Sequence, residues 1–398
     1  MNYENQETAP KNLIKERKQL FLDTVKQKKK PKRIPIVSNA FTWMICDSPY
    51  KLSEAIYDYD KMFEVICHHC EKYNFDLYSV SGLRNVLAYS DIFGKDCCYI
   101  INDDNYIINY PDSASIADEE DYPAFIEKGL VKYYFENGIS RKYGLTDTEN
   151  IIERFGHAAK EMVKMNTFGV KVKKQFNEVY GVPAWANIIP EFPCDTLFKA
   201  IRGMKGFSID LRRNTYYLER ALEVIDDHFF PLLKNSFANI GGSENVAFEG
   251  GRGISLVHTV LSRKQFEKYQ WPYIKRYVDM VAEKNQICAL FMEGSIDLLY
   301  DYLQDLPKGH VALQIEQEDP FEAKKRLPNV TIMGGFPTHY LGNESVEKCL
   351  DKAKELIDKM AYDGNFIFTS DKMLSFPNDA RSENMIAINK FIKEYGVL

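Results

Sequence analysis

The last third of the chain repeats one pattern five times. A short apolar run is closed by a glycine or a carboxylate, and an amphipathic stretch follows it. The five runs begin at Val246, Ile287, Val311, Val330 and Phe366. Buried parallel strands give such runs, and a helical pattern after each run is typical of the βα unit of a parallel α/β fold. We therefore expect a (β/α)8 TIM barrel, in which the active site forms where the strands end.

Composition and net charge argue against a nucleic-acid-binding protein and against a membrane protein. The 398 residues carry a formal charge of −6, which argues against nucleic-acid binding because neutralising phosphates needs a positive field. No apolar run is long enough for a membrane span, and the N-terminus lacks the apolar segment of a secretory signal. The eight cysteines are scattered along the sequence. We expect a cytoplasmic protein with free thiols.

The chain lacks a linker rich in proline, glycine and serine that would divide it into domains. We expect an N-terminal helical extension over 1–33, formed by a solvated helix, and a single barrel domain over 34–398. Residues 92–170 depart from the strand and helix repeat. They begin with β-rich pieces around Asp103-Asp104-Asn105, which predict a hairpin, and continue as helix. This insert is expected to lie over the barrel mouth.

Acidic residues close several of the predicted strands. Glu293 follows the run at Ile287, Asp371-Lys372 follows the run at Phe366, and Glu249 with Arg252 follows the run at Val246. A carboxylate at a buried strand end must bind a metal, pair with a cation or carry a raised pKa. The alternative is that these acids cap the following helices, because acids favour helix N-termini. Glu316 closes a fourth strand in the same way.

Two histidines, His258 and His339, follow strand ends and are candidates for a general acid, a general base or a ligand. A structural role is the alternative for both. The sequence Cys67-His68-His69-Cys70 looks like a metal motif, but adjacent histidines on a helix point about 100° apart. No second Cys or His pair follows at zinc-site spacing, so ordinary helix packing is the better interpretation.

Several segments resemble the uroporphyrinogen decarboxylase (URO-D) superfamily. They are the entry to the first strand at Lys32-Arg33-Ile34-Pro35, the segment from Leu261 to Lys275, Met333-Gly334-Gly335-Phe336-Pro337, and Gly364-Asn365-Phe366-Ile367-Phe368. The resemblance covers about residues 245 to 395 and implies a TIM barrel. It also implies one of two chemistries, which are decarboxylation of a tetrapyrrole and methyl transfer to or from a corrinoid, often with zinc.

The departures from the family pattern narrow the choice. Tyr89-Ser90-Asp91-Ile92-Phe93 resembles the segment that carries the catalytic aspartate of the decarboxylases, which makes Asp91 a candidate. The arginine-rich decarboxylase signature after the first strand is replaced by Ala40-Phe41-Thr42-Trp43-Met44. The thiolate zinc ligands of thiol methyltransferases are also absent, since Glu293 and Asp371-Lys372 stand in their places. The chain is most similar to the corrinoid-dependent demethylase branch.

These observations lead to three hypotheses. The first is a methyltransferase that moves a methyl group between a small substrate, of which a methoxylated aromatic is one candidate, and a corrinoid protein partner, with Asp91, Glu293, Asp371 and Lys372 as catalytic residues. Glu249, Arg252, Glu316 and His339 are then the substrate-binding candidates. The second is a URO-D-like carboxy-lyase, and the third is a non-catalytic ligand-binding barrel. Zinc and a homodimer are left open, and no nucleic-acid or membrane partner is expected.

Overall fold

The computed structural model describes residues 3–78, 92, 99–103, 105–108, 115–238 and 244–398. Short strands alternate with helices along most of this length. The strands are β1 (Val37–Ser38), β2 (Leu77–Tyr78), β3 (Tyr99–Asn102), β4 (Asn105–Ile108), β5 (Ala184–Trp185), β6 (Val246–Phe248), β7 (Arg252–Ser255), β8 (Cys288–Met292), β9 (Val311–Ile315), β10 (Thr331–Gly334) and β11 (Phe366–Ile367). The longer helices are Tyr3–Lys26, Tyr59–Tyr73, Thr148–Gln175, Gly203–Arg213, Thr215–Ala238, Trp271–Glu283, Val346–Met360 and Ser382–Tyr395.

Shorter helices fill the connections between these elements. They are Trp43–Cys46, Leu52–Ala55, Tyr122–Lys128, Leu130–Tyr133, Ile139–Tyr143, Pro193–Thr196, Arg263–Tyr269, Tyr300–Leu303, Pro320–Arg326 and Thr338–Asn343. In the region of the predicted insert, β3 and β4 pair antiparallel, and the helices from Tyr122 to Gln175 follow them.

The strands other than β3 and β4 pair in parallel, so the fold is α/β with parallel sheets. β7, β8, β9, β10 and β11 form one sheet in that order, and β1 pairs with β2. A parallel bridge between Ile36 and Phe368 places β1 beside β11. β5 pairs with β6, and the indole Nε1 of Trp185 in β5 donates a hydrogen bond of 2.7 Å to the backbone oxygen of Tyr78 in β2. Because neighbouring strands run the same way, their C-terminal ends share one edge.

One face of these strands carries an apolar layer, which we call the inner layer. Its strand members come from β1, β2, β6, β8, β9, β10 and β11, together with Ile287, and Trp185 of β5 packs against it. The members are Val37, Leu77, Ala247, Phe248, Ile287, Ala289, Ala312, Met333 and Ile367, and all are at most 1% exposed. Side chains from seven strands therefore pack in one apolar layer.

The N-terminal helix packs against the inner layer from the side where the strands begin. Phe21 and Val25 are fully buried in that layer, and Lys26 donates hydrogen bonds to the backbone oxygens of Asn285 and Gln286, just before β8. The expectation of a solvated helix was therefore wrong. Its buried residues Ile14, Arg17, Phe21 and Val25 recur at helical spacing, which is the sequence signal that polar residues between them obscured.

The motif Cys67-His68-His69-Cys70 lies within the helix Tyr59–Tyr73 and packs rather than forming a metal cluster. His69 is buried with its Nε2 3.1 Å from the hydroxyl of Ser38, while His68 is exposed. The rings of Trp43, Tyr73, Phe75 and Tyr78 surround His69. Burial lowers the pKa of His69 to about 3. The imidazole is thus held neutral in the folded protein.

This burial predicts a pH-dependent loss of stability. The unfolded chain takes up a proton on His69 near pH 6.5, whereas the folded chain resists it down to about pH 3. The free energy of unfolding should therefore fall as the pH drops from 6.5 toward 3, by up to about 1.4 kcal/mol per pH unit from this group. Denaturant unfolding at several pH values measures it. The His69→Gln variant should show a shallower fall, and the exposed His157→Gln variant should match the wild type; equal slopes in all three would contradict the account.

Across the described parts of the chain, none of the helices combines the length and the apolar character that crossing a bilayer needs.

Candidate functional site

Glu293 directly follows β8 at the edge where the parallel strands end. Its backbone N–H donates to the oxygen of Ser255, the last residue of β7, at 2.9 Å. The side chain is half-buried. Burial raises the pKa of Glu293, and the negative charges of Glu316 and Asp195 add to the rise, while the positive charges of Lys199 and Arg252 oppose it. A half-buried carboxyl with a raised pKa can hold a proton and release it.

Glu316 directly follows β9, the neighbour of β8. Its Oε2 accepts a hydrogen bond of 2.7 Å from the N–H of Gly294. Gly294 has φ +77°, a conformation that favours glycine, and a Cβ there would meet the side chain of Thr259 at 2.9 Å. Glu316 thus fixes the turn that follows Glu293 and places a second carboxylate close to it. Glu318 acts similarly on the next residues, with Oε1 accepting from the N–H of Ile296 at 2.6 Å.

Arg252 lies at the start of β7 and reaches across the sheet. Its Nη2 donates a hydrogen bond of 2.7 Å to Oε1 of Gln314 in β9. The guanidinium lies 5.3 Å from the ring centre of Phe291 and 6.0 Å from that of Trp185. Burial lowers the pKa of Arg252 to about 10, with Glu293 acting in the opposite direction. It remains a cation near neutral pH.

Glu249 is separate from this group. The strand at Val246 ends at Phe248, directly before Glu249, as the sequence predicts. A second strand, β7, begins at Arg252, so the expectation that Arg252 closes a strand was wrong. Between them the N–H of Gly251 donates to the oxygen of Phe248 at 3.2 Å, and Gly251 has φ +78° with a Cβ position 2.1 Å from the oxygen of Ile188, so only glycine fits this turn. Glu249 accepts a hydrogen bond of 3.0 Å from Lys18 of the N-terminal helix. Glu249 therefore contacts the N-terminal helix, on the side where β8 begins.

The remaining candidates occupy the rim after β10 and β11. Asp371 accepts hydrogen bonds from the backbone N–H of Thr338 at 3.0 Å and from its hydroxyl, so it caps the helix Thr338–Asn343. The sequence left capping of the following helix as an alternative, but the helix that Asp371 caps precedes it in the chain. Lys372 and His339 are exposed, and the ring of His339 lies 4.9 Å from that of Tyr340. Asp91 lies outside the described residues.

Two buried side chains near Glu293 were not among the principal candidates. Asp195 is 1% exposed and accepts hydrogen bonds from the N–H groups of Leu256 and Val257 and from Nε2 of Gln270. Asp195 thereby fixes the chain just beyond β7, and no strand-end pattern marks it because it lies within a helix. His258 is also buried, and burial lowers its pKa to about 4, against the opposing charge of Asp195. A neutral imidazole there favours a structural or proton-accepting role.

Gln314 was not predicted as a site residue, although its place in the sequence is unusual. It is a polar residue inside an otherwise apolar strand, Val311–Ile315, and it is 1% exposed. Among the described residues, no group of three or more His, Cys, Asp and Glu side chains is arranged to hold a metal ion.

Comparison with known proteins identifies the family of the chain. The model of the uroporphyrinogen decarboxylase (URO-D) family matches residues 195–395, about half of the sequence. The chain belongs to the uroporphyrinogen decarboxylase family. The match includes β6 to β11 and every strand-end residue described above from Glu293 to Lys372. The family resemblance expected from the sequence is thus confirmed.

A solved structure shares the fold of this URO-D family member over nearly its whole length. It is a methyltransferase from Methanosarcina mazei, similar with a TM-score of 0.62 and 13% identity, covering 95% of this chain and 98% of that one. None of the curated proteins matches the chain significantly. Identity this low shows the fold alone, so the reaction must be argued from the site.

Proposed function

We propose that this protein is a methyltransferase in which Glu293 donates a proton to the leaving group of a small methyl donor. The observation that carries the proposal is the environment of Glu293: a strand-end position, half-burial, a raised pKa and a neighbouring carboxylate on Glu316. General acids are tuned toward neutral pH by burial and like charges of this kind. The family and the fold shared with a methyltransferase are compatible with this chemistry.

The proposal includes a closed (β/α)8 barrel. The pairings run from β2 through β1 and β11 to β7, and the Trp185 indole bond to Tyr78 brings β5 next to β2. The inner layer supports closure because it draws on strands all around this order. In such a barrel Glu293, Glu316 and Asp371 border one mouth, and the N-terminal helix closes the other end. The hairpin of β3 and β4 and the helices after it are proposed to lie over that mouth.

The proton of Glu293 goes to the oxygen that the methyl group leaves. The methyl group leaves the oxygen of its donor and bonds to an acceptor that supplies the electron pair, and the C–O pair remains on oxygen. The Glu293 carboxyl gives its proton to that oxygen, so the donor departs as an alcohol or a phenol and Glu293 becomes a carboxylate. Solvent then returns the proton. The charge of Glu316 favours the protonated form of Glu293 before the reaction, which keeps the acid ready.

The acceptor is proposed to be a corrinoid held by a partner protein. When bound, a reduced corrinoid supplies the electron pair that takes the methyl group. The residues present fit such a partner because exposed polar side chains border the strand ends, where amide groups fringing a corrin need hydrogen-bonding partners. His339 and Lys372 would meet it there. Asp371 positions the helix that carries His339 through its bonds to Thr338.

The test is a direct assay with three informative outcomes. The protein is mixed with a reduced corrinoid protein and a panel of methoxylated aromatic compounds, and corrinoid absorption reports methyl transfer. We expect a donor-dependent spectral change that requires this protein. Anaerobic incubation with uroporphyrinogen tests the carboxy-lyase alternative, which predicts partly decarboxylated products that the Asp91→Asn variant does not form; those products would contradict the proposal. Ligand-dependent stabilisation without turnover in either assay would instead favour a binding barrel and would contradict the proposal.

A further inference from the structure

The Arg252 to Gln314 hydrogen bond spans two strand spacings. Arg252 is in β7 and Gln314 is in β9, and β8 lies between them. The register pairs Arg252 with Ala289, and Ala289 with Ala312, both in the inner layer. Side chains alternate between faces along a strand, so Gln314 shares the face of Ala312. The bond therefore crosses the inner face of the sheet, directly above the apolar inner layer.

The cation of Arg252 is not neutralised in the described structure. No carboxylate of the described residues lies within the 4.0 Å of an ion pair with it, although Glu293 is near enough to act on its pKa. Its Nε is buried and has no hydrogen-bond acceptor among those residues. Arg252 as a whole is half-buried, and an unpaired charge that is partly removed from water is costly, so a ligand that supplies the opposite charge would be favourable here.

Gln314 adds a second open donor at the same place. Its Oε1 accepts a hydrogen bond from Arg252. Its Nε2, which carries two N–H groups, is buried and has no hydrogen-bond partner among the described residues. The side chain is 1% exposed, so water outside the protein does not satisfy it. The only acceptor atom of the two side chains, Oε1 of Gln314, already bonds to Arg252. The pair therefore offers N–H donors to a ligand.

Unpartnered polar atoms also lie just beyond the ends of β1 and β11, one position above the inner layer. Asn39 follows Val37 by two residues and Thr369 follows Ile367 by two, so alternation places both on the inner face. Each is 2% exposed, and the amide atoms of Asn39 and the hydroxyl of Thr369 have no partner in the described part of the chain. Buried polar groups without partners call for an explanation, and a polar ligand at this face would supply one.

We propose that Arg252 and Gln314 form a subsite for the carboxylate of the substrate. A guanidinium and an amide that both offer N–H groups match the two oxygens of a carboxylate. The rings of Phe291 and Trp185 beside the guanidinium give the subsite apolar walls, which suits an acid with an aromatic body. This inference rests on the proposed function, because it takes the carboxylate to be part of the methyl donor. The donor is then an aromatic acid such as a methoxybenzoate.

Calorimetric titration of the full-length protein tests the subsite without any methyl transfer. The probes are benzoate, 4-methoxybenzoate and benzamide, which is uncharged and of similar shape. We expect both carboxylates to bind at least about tenfold more tightly than benzamide. The Arg252→Gln variant should lose that preference, and Gln314→Leu should weaken carboxylate binding by about three- to tenfold through loss of one hydrogen bond. Arg263→Gln, at an exposed arginine, is the matched control and should bind like the wild type.

The outcomes separate the subsite from the reaction. Circular dichroism and thermal unfolding establish that each variant is folded, and Arg252→Lys, which keeps the charge, should retain part of the preference. Equal affinity for benzoate and benzamide, unchanged affinity in Arg252→Gln, or no carboxylate binding at millimolar concentration would overturn the subsite. Glu293→Gln should still bind benzoate. Binding without methyl transfer by the wild type would therefore contradict the proposed function while leaving the subsite intact.

Discussion

Replacing Glu293 with glutamine is expected to lower the rate of methyl transfer by about a hundred- to ten-thousandfold. Glutamine keeps the size of the side chain but has no acidic proton to give to the leaving oxygen. The loss should lie in kcat, because the donor binds elsewhere, at Arg252 and Gln314 in our account. Single-turnover mixing with the reduced corrinoid protein measures it.

The Glu293→Gln variant should remain folded. The pKa of Glu293 is raised in the folded protein, so its ionised form is the one that folding disfavours, and removing the charge should not reduce stability at neutral pH. Glu347→Gln provides a control, since Glu347 is exposed and lies on a helix outside the site. An activity loss in both variants, or in neither, would remove Glu293 from the mechanism.

Replacing Asp76 with asparagine is expected to lower the free energy of unfolding by about 3–5 kcal/mol. Asp76 is fully buried and accepts hydrogen bonds from both terminal nitrogens of Arg33, at 2.6 and 2.7 Å, and from the N–H of Ile36. Arg17, 2% exposed, lies 3.4 Å from the same carboxylate. Without the carboxylate charge, two arginines would remain partly or fully buried beside β1 with no counterion. Denaturant unfolding measures the change.

The pH dependence of this contribution has a definite sign. The hydrogen bonds and charges of Arg33 and Arg17 hold the pKa of Asp76 below its ordinary value of 3.8, against the effect of burial. The stabilisation is therefore present above about pH 3.8 and is lost as the pH falls through the lower folded-state pKa. Asp301→Asn is the matched control, because Asp301 pairs with Arg263 on the surface and should contribute only about 0–1 kcal/mol. Equal, small effects of both substitutions would contradict the role given to Asp76.

Sequence periodicity located most of the strands because buried strands need apolar runs, whatever the rest of the chain does. The run at Ile287 became β8, and the run at Val311 became β9. Their closing acids, Glu293 and Glu316, follow these two hydrogen-bonded neighbours at one edge of the sheet. Position along a strand was thus enough to predict where these carboxylates lie.

Contacts between residues far apart in the sequence could not be predicted from the pattern of apolar runs. Glu249-Gly250-Gly251 has the composition of a turn and forms one, but the sequence did not show that a second strand, β7, begins directly after it at Arg252. The role of Asp371 as a helix cap depends on Thr338, which follows a different strand. Likewise, Arg252 and Gln314 meet only because β7 and β9 lie on either side of β8, an order that the sequence does not give.

The most direct test of the account is a leaving-group series with Glu293→Gln and the wild type. The accepted methyl donor is compared with ring-substituted analogues whose phenols are progressively more acidic, and single-turnover rates are recorded. An acidic phenol leaves without help, so the defect of Glu293→Gln should shrink steadily along the series while the wild-type rate changes little. The same defect with every donor would contradict proton donation by Glu293.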